Sequence, residues 1–103
     1  MTELNIMEAM LGEGEDNALI RFTMGSAFIK HGKYEHAVEQ LAKAVELKPD
    51  YTTAWLKYAQ ALIETGRTEE SISTLEKGIS VATEKNDTQS LKEMQNLLNS
   101  LQI

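Results

Sequence analysis

His31 and His36 are the only histidines of a 103-residue chain that has no cysteine, so metal and nucleophile chemistry has few side chains to draw on. Without cysteine there is no disulfide framework, no thiolate catalysis and no cysteine-ligated zinc or iron–sulfur centre. The two histidines fall on either side of Gly32. They are five residues apart and lack the i, i+4 spacing of a helical metal pair, so they read as surface residues beside a turn. The run Gly12-Glu13-Gly14-Glu15-Asp16-Asn17 lacks the third glycine of a phosphate loop, and its carboxylates would repel phosphate. As a calcium loop it fails too, because the bidentate acid would fall among Arg21, Phe22 and Thr23. No serine occurs in a G-x-S-x-G context. Glu69 and Glu70 suit the first turn of a helix without any acid–base role. Met7, Met10, Met24 and Met94 suit core filling. The expectation is a non-enzyme with no metal and no cofactor.

Charge narrows the partners. Ten Lys and Arg against sixteen Asp and Glu give a net charge of −6, which disfavours a nucleic-acid binder, since phosphate affinity rests on clustered bases. Glu3, Glu8, Glu13, Glu15 and Asp16 lie in a segment with no base, so the acidity is concentrated in the first sixteen residues. No basic stretch precedes a long apolar run near the start, and no window approaches a membrane span. A cytoplasmic protein with no membrane partner is expected.

The elements that must position any site are helices. Apolar residues recur at spacings of three and four, and strong helix formers dominate. Breakers at Gly12/Gly14, Gly32, Pro49-Asp50, Gly66 and Asn86-Asp87 divide the chain into about six helices, expected near 2–11, 17–31, 34–47, 51–65, 68–82 and 88–101. Gly32 and Gly66 sit where a left-handed C-terminal cap is needed. Thr68, Asp16, Asp50 and Asp87 are the expected N-caps.

An internal repeat organises these pieces. A shift of 34 residues superposes 18–51 on 52–85 and pairs Ala27 with Ala61, Ile29 with Ile63, Gly32 with Gly66, Glu35 with Glu69, Leu41 with Leu75 and Lys43 with Lys77. The matched positions are helix-stop glycines, interior apolar residues and small residues where helices approach. A helix-turn-helix unit of this length resembles the tetratricopeptide repeat. In the first unit Met24, Gly25, Phe28, Gly32, Tyr34, Ala37, Leu41, Ala44 and Pro49 occupy the family's patterned positions, and Arg21 departs from it. In the second, Trp55, Ala59, Leu62, Gly66, Leu75 and Ile79 fit, whereas Thr68, Ser71, Gly78 and Thr83 depart. Gly78 in mid-helix costs about 1 kcal/mol relative to alanine, so close helix packing is expected there. The resemblance implies an all-α fold of antiparallel helix-turn-helix repeats stacked as a short right-handed α-solenoid. The whole of 1–103 is expected to be one domain, with 1–14 as an N-terminal half repeat, 18–51 and 52–85 as full repeats and 88–101 as a C-terminal capping helix. Leu91, Met94, Leu98 and Leu101 match the family's first-helix stripe when two residues are inserted around 86–87.

The resemblance also implies a function. Relatives bind a partner's peptide or helix in a concave groove lined by the first helix of each repeat. Carried over residue by residue, the groove positions are Leu19, Phe22, Ser26, Ile29 and Lys30, then Thr53, Leu56, Gln60 and Ile63. A lysine–asparagine clamp for a C-terminal carboxylate is disfavoured, because Phe22, Ser26 and Gln60 stand where its residues belong. With the two-residue insertion Lys92 and Asn96 face the groove; without it, Ser90 and Met94 do. Lys30, Lys57 and Lys92 are expected to steer an acidic flank of the partner. The expected role is a protein-interaction adaptor or scaffold. Its alternative is a self-associating structural subunit, a homodimer, whose groove is filled by its own helix or a second copy.

Overall fold

The computed structural model describes residues 17–102. Five helices run along them: α1 (Ala18–Lys30), α2 (Tyr34–Leu47), α3 (Thr52–Glu64), α4 (Thr68–Lys85) and α5 (Thr88–Leu101). The helix expected over 2–11 and the Asp16 cap lie outside the described residues. Among the described residues there is no strand.

Two glycines set the hairpin turns. Gly32 and Gly66 have φ of 73° and 79°, a conformation in which a Cβ would crowd the carbonyl. That conformation lets Lys33 N–H donate to Phe28 O at 2.8 Å and Arg67 N–H to Leu62 O at 3.0 Å, so both turns carry the six-to-one hydrogen bond of a Schellman cap. Helix starts are less uniform. Asn17 caps α1, its Oδ1 accepting from Ile20 N–H at 2.9 Å. Asp87 caps α5 as expected, accepting from Ser90 N–H at 3.1 Å.

Two expected caps are corrected. The Gly66 turn brings Arg67 C=O to Ser71 N–H at 2.9 Å. Arg67 is therefore the capping residue of α4, and Thr68 already lies inside the helix. Likewise Tyr51 C=O accepts from Ala54 and Trp55, which leaves Asp50 one position too far out to cap α3. Its carboxylate instead pairs with Lys85 Nζ at 3.1 Å. A third correction concerns length, since α4 runs to Lys85 and not to 82. Thr83 allows helix to continue where Pro49 stops it. Asn86 then supplies the left-handed stop at φ 57°, and Asp87 N–H closes on Ala82 O at 2.9 Å.

Each helix packs chiefly on its sequence neighbours, with lighter contacts between α1 and α3 and between α3 and α5. Ile20, Met24, Phe28, Val38, Leu41 and Leu62 form one apolar cluster, and Leu56, Leu75, Ala82 and Met94 another. Each fully buried Leu contributes about 1.5–3 kcal/mol. The close approach expected at Gly78 is present: a Cβ there would lie 2.5 Å from Met94 Sδ and 3.0 Å from Trp55 Cβ. The missing side chain thus seats α5 against α4.

Candidate partner-binding groove

The extension of α4 displaces α5 along the sequence. α3 begins 34 residues after α1, but α5 begins 36 residues after α3. The helix spacing carries the two-residue insertion, but the side chains follow it only in part. Met94 is 0% exposed and Asn96 lies exposed on the shared face, whereas Ser90, 4% exposed, also borders that face and the exposed Lys92 does not. The apolar side of α5 therefore turns toward α4, and its polar side joins α1 and α3 on a shared face.

Hollows line up along that face. One of about 320 Å³ is bounded by Phe22 of α1, by Thr53, Leu56, Lys57 and Gln60 of α3, and by Asp87, Gln89, Ser90 and Glu93 at α5. A second, of about 310 Å³, is walled by Ile29, Tyr34, Gln60, Ile63, Glu64 and Leu97. A shallower one joins Gln60, Glu93, Asn96, Leu97 and Ser100. Gln60 borders all three, so they read as stretches of one trough.

Helical spacing positions these walls. Phe22 and Ile29 lie seven residues apart on α1, and Leu56 and Ile63 seven apart on α3. Seven residues are two turns, so each helix presents one apolar side chain to each hollow about 10 Å apart. Phe22 is held by the Tyr51 ring, with centroids 5.0 Å apart. Burial raises the Tyr51 hydroxyl above its ordinary range. Lys48 Nζ lies 5.3 Å from the same ring.

The nine sequence-derived residues divide. Phe22, Ile29, Thr53, Leu56, Gln60 and Ile63 border the hollows. Leu56 does so with one edge only, because it is 6% exposed and belongs to the cluster with Leu75 and Met94. Leu19, at 65% exposed, and Lys30 project outside these hollows. Ser26 also lines neither; its Oγ is buried without a hydrogen-bond partner. Sequence reasoning missed Gln89, Glu93, Leu97, Tyr34 and Glu64. The signal for the α5 residues was the two-residue insertion, which fixes which side of that helix meets the face.

The electrostatics differ from the basic steering that the sequence suggested. Of Lys30, Lys57 and Lys92, only Lys57 borders a hollow, against the carboxylates of Glu64, Asp87 and Glu93. The Thr52 hydroxyl and then the Ser90 N–H donate to Asp87 and hold its carboxyl below the ordinary aspartate range, so it is charged at neutral pH. The ion pairs Arg67–Glu35 and Lys85–Asp50 lie outside the hollows. Among the described residues, no group of three or more His, Cys, Asp and Glu is placed to hold a metal, and no helix is long and apolar enough to cross a membrane.

Comparison with known proteins fits this architecture. Residues 28–94 match the family model described as the tetratricopeptide repeat. A TPR repeat-containing protein of Pseudomonas aeruginosa is 35% identical over 95 residues, covering 92% of this chain and 90% of that protein. The chain belongs to the tetratricopeptide repeat family. Its solved relatives share the stacked-hairpin form. A solution structure of a Bordetella parapertussis protein, 32% identical, aligns with a TM-score of 0.84 over 98% of this chain and 88% of that one. The TPR2B domain of yeast Sti1, solved in complex with pHsp70, aligns with a TM-score of 0.87 at 20% identity, over 96% of this chain and 79% of that one. At that identity the likeness is one of fold. As a tetratricopeptide repeat protein, the chain has the all-α repeat fold that its 34-residue period implied.

Proposed function

We propose that this tetratricopeptide repeat protein is an interaction adaptor that holds a peptide or helix of a partner protein along the α1–α3–α5 face. The observation that carries the reading is the trough centred on Gln60, whose two ends are walled by half-exposed apolar side chains, Phe22 at one and Ile29, Ile63 and Leu97 at the other. Apolar walls at regular intervals with polar groups between them suit a chain that inserts side chains in turn. The yeast fold neighbour, captured with pHsp70, gives the same reading a precedent of form. A small repeat array that turns three helices toward one shared face fits a binding role.

A photo-crosslinking side chain at position 60, compared with one at Glu39 on α2, tests this in cells. A protein crosslinked from position 60 and not from position 39 is the expected result. Crosslinking only to a second copy of the chain would make self-association the function of this face. Equal labelling from both positions, or none from 60, would sink the groove reading. The Leu56→Glu variant is a poor probe, because a charge at this buried site unfolds the core before it tests the surface.

A further inference from the structure

Resting on the groove reading, we infer that the occupant is a segment carrying a basic side chain for the Asp87–Glu93 end of the trough and an apolar side chain for the Ile29–Ile63–Leu97 end, about 10 Å away along it. The argument begins with where charge is uncompensated. The first hollow holds Asp87 and Glu93 against Lys57, and the second holds Glu64 with no base. Glu64, Glu93 and Lys57 join no ion pair among the described residues. The donors to Asp87 are a hydroxyl and a backbone amide, which order its carboxylate without neutralising it. The lining therefore carries two negative charges more than positive ones.

A site of this make-up discriminates by sign. A Lys or Arg would lay its methylenes on Phe22 and the edge of Leu56 while its cation meets the carboxylates. An acidic side chain in the same place would face two like charges, and like-charge juxtaposition is the efficient means of rejecting a wrong partner. The second hollow differs in kind. Ile29, Ile63 and Leu97 come from three helices and converge there with the Tyr34 ring, so a branched or aromatic side chain is what it can cover. Its neighbour Glu64 adds a further preference for a base nearby. A two-turn separation of the hollows matches residues seven apart on a helix or about three apart on an extended segment.

The test uses a random twelve-residue phage-displayed peptide library panned on the full chain, with a Gln60→Trp variant to obstruct the trough and a Glu64→Gln, Glu93→Gln double variant to reduce its charge. The expected result is enrichment of peptides that pair Lys or Arg with an apolar residue at one of those two spacings. Their binding should be lost in Gln60→Trp and weakened about two- to fivefold in the double variant, the range of exposed charge pairs, with the difference shrinking at high salt. Peptides that depend on position 60 but are acidic, or are insensitive to the double variant, would overturn this inference and leave the groove reading standing. Peptides indifferent to Gln60→Trp, or no enrichment, would overturn both. Circular dichroism of each variant confirms that lost binding is not lost structure.

Discussion

The two junctions between hairpins, Lys48–Tyr51 and Asn86–Asp87, occupy equivalent places yet are built differently. At the first, Pro49 ends α2 early and a four-residue connector carries the chain to α3. Asp50 there points outward to Lys85. At the second, the helix continues for another turn, stops on a left-handed Asn86, and Asp87 caps the next helix at once. Its carboxylate also accepts from Thr52 Oγ1, joining the start of α5 to the start of α3. The difference teaches that a single residue type, proline against Thr83, sets where a helix ends and hence which side of the next helix meets the common face.

Making the second junction resemble the first should have the largest effect. Thr83→Pro places a ring against the carbonyl of Ile79 inside α4 and removes one helical hydrogen bond, at a cost of about 3 kcal/mol or more. The expected outcome in urea unfolding is a midpoint far below wild type, with α5 amides losing exchange protection first.

Asp87→Ala comes next. It removes a cap worth about 1 kcal/mol and leaves the buried Thr52 hydroxyl without its acceptor, a further 1 kcal/mol or more. Its pH dependence carries a definite sign. The Asp87 carboxyl titrates below its ordinary value because Thr52 and Ser90 donate to it. Its stabilisation is therefore fully present above the unfolded value near 3.9 and fades as pH falls through the lower, folded one. The stability gap between wild type and Asp87→Asn should hold from pH 7 to about 5 and close below about 4. A gap unchanged at pH 3 would show that the charge is not what matters.

The smallest effect belongs to the first junction. Asp50 is lowered chiefly by its hydrogen bond and attraction to Lys85, but both groups are exposed. Asp50→Asn should leave the unfolding midpoint within error at physiological salt. A clear loss would mean that the two junctions are held in similar ways after all.

The same contrast shows what could be read from the chain. The glycine stops at 32 and 66 were legible because the left-handed turn selects one residue type, and the 34-residue period was legible because packing selects small and apolar residues at fixed intervals. The end of α4 was not. Nothing local to residues 80–85 forbids helix, and the stop depends on Asn86 adopting a conformation unusual for a residue with a Cβ. Thr68 and Asp50 were misplaced as caps for a related reason, because the cap is decided by which carbonyl the preceding turn delivers, one residue away from the side chain that looks suited to it. On α1 and α3 the expected positions Phe22, Ile29, Thr53, Leu56, Gln60 and Ile63 border the hollows, and Leu19, Ser26 and Lys30 do not. The third wall was not legible, since Gln89, Glu93 and Leu97 join the trough only after the register of α5 has slipped by two.

Packing that runs mainly between consecutive helices has a kinetic consequence. Each hairpin closes a loop of only a few residues, so little chain entropy must be lost before contacts begin to form, and folding should finish on the order of milliseconds or faster. Either hairpin can serve as the nucleus, because neither waits for a distant partner strand. The bond from Thr52 to Asp87 spans 35 residues, as does the Lys85–Asp50 pair. The Thr52 bond can form only once α5 lies beside α3, so it joins the second hairpin to the helix that follows it.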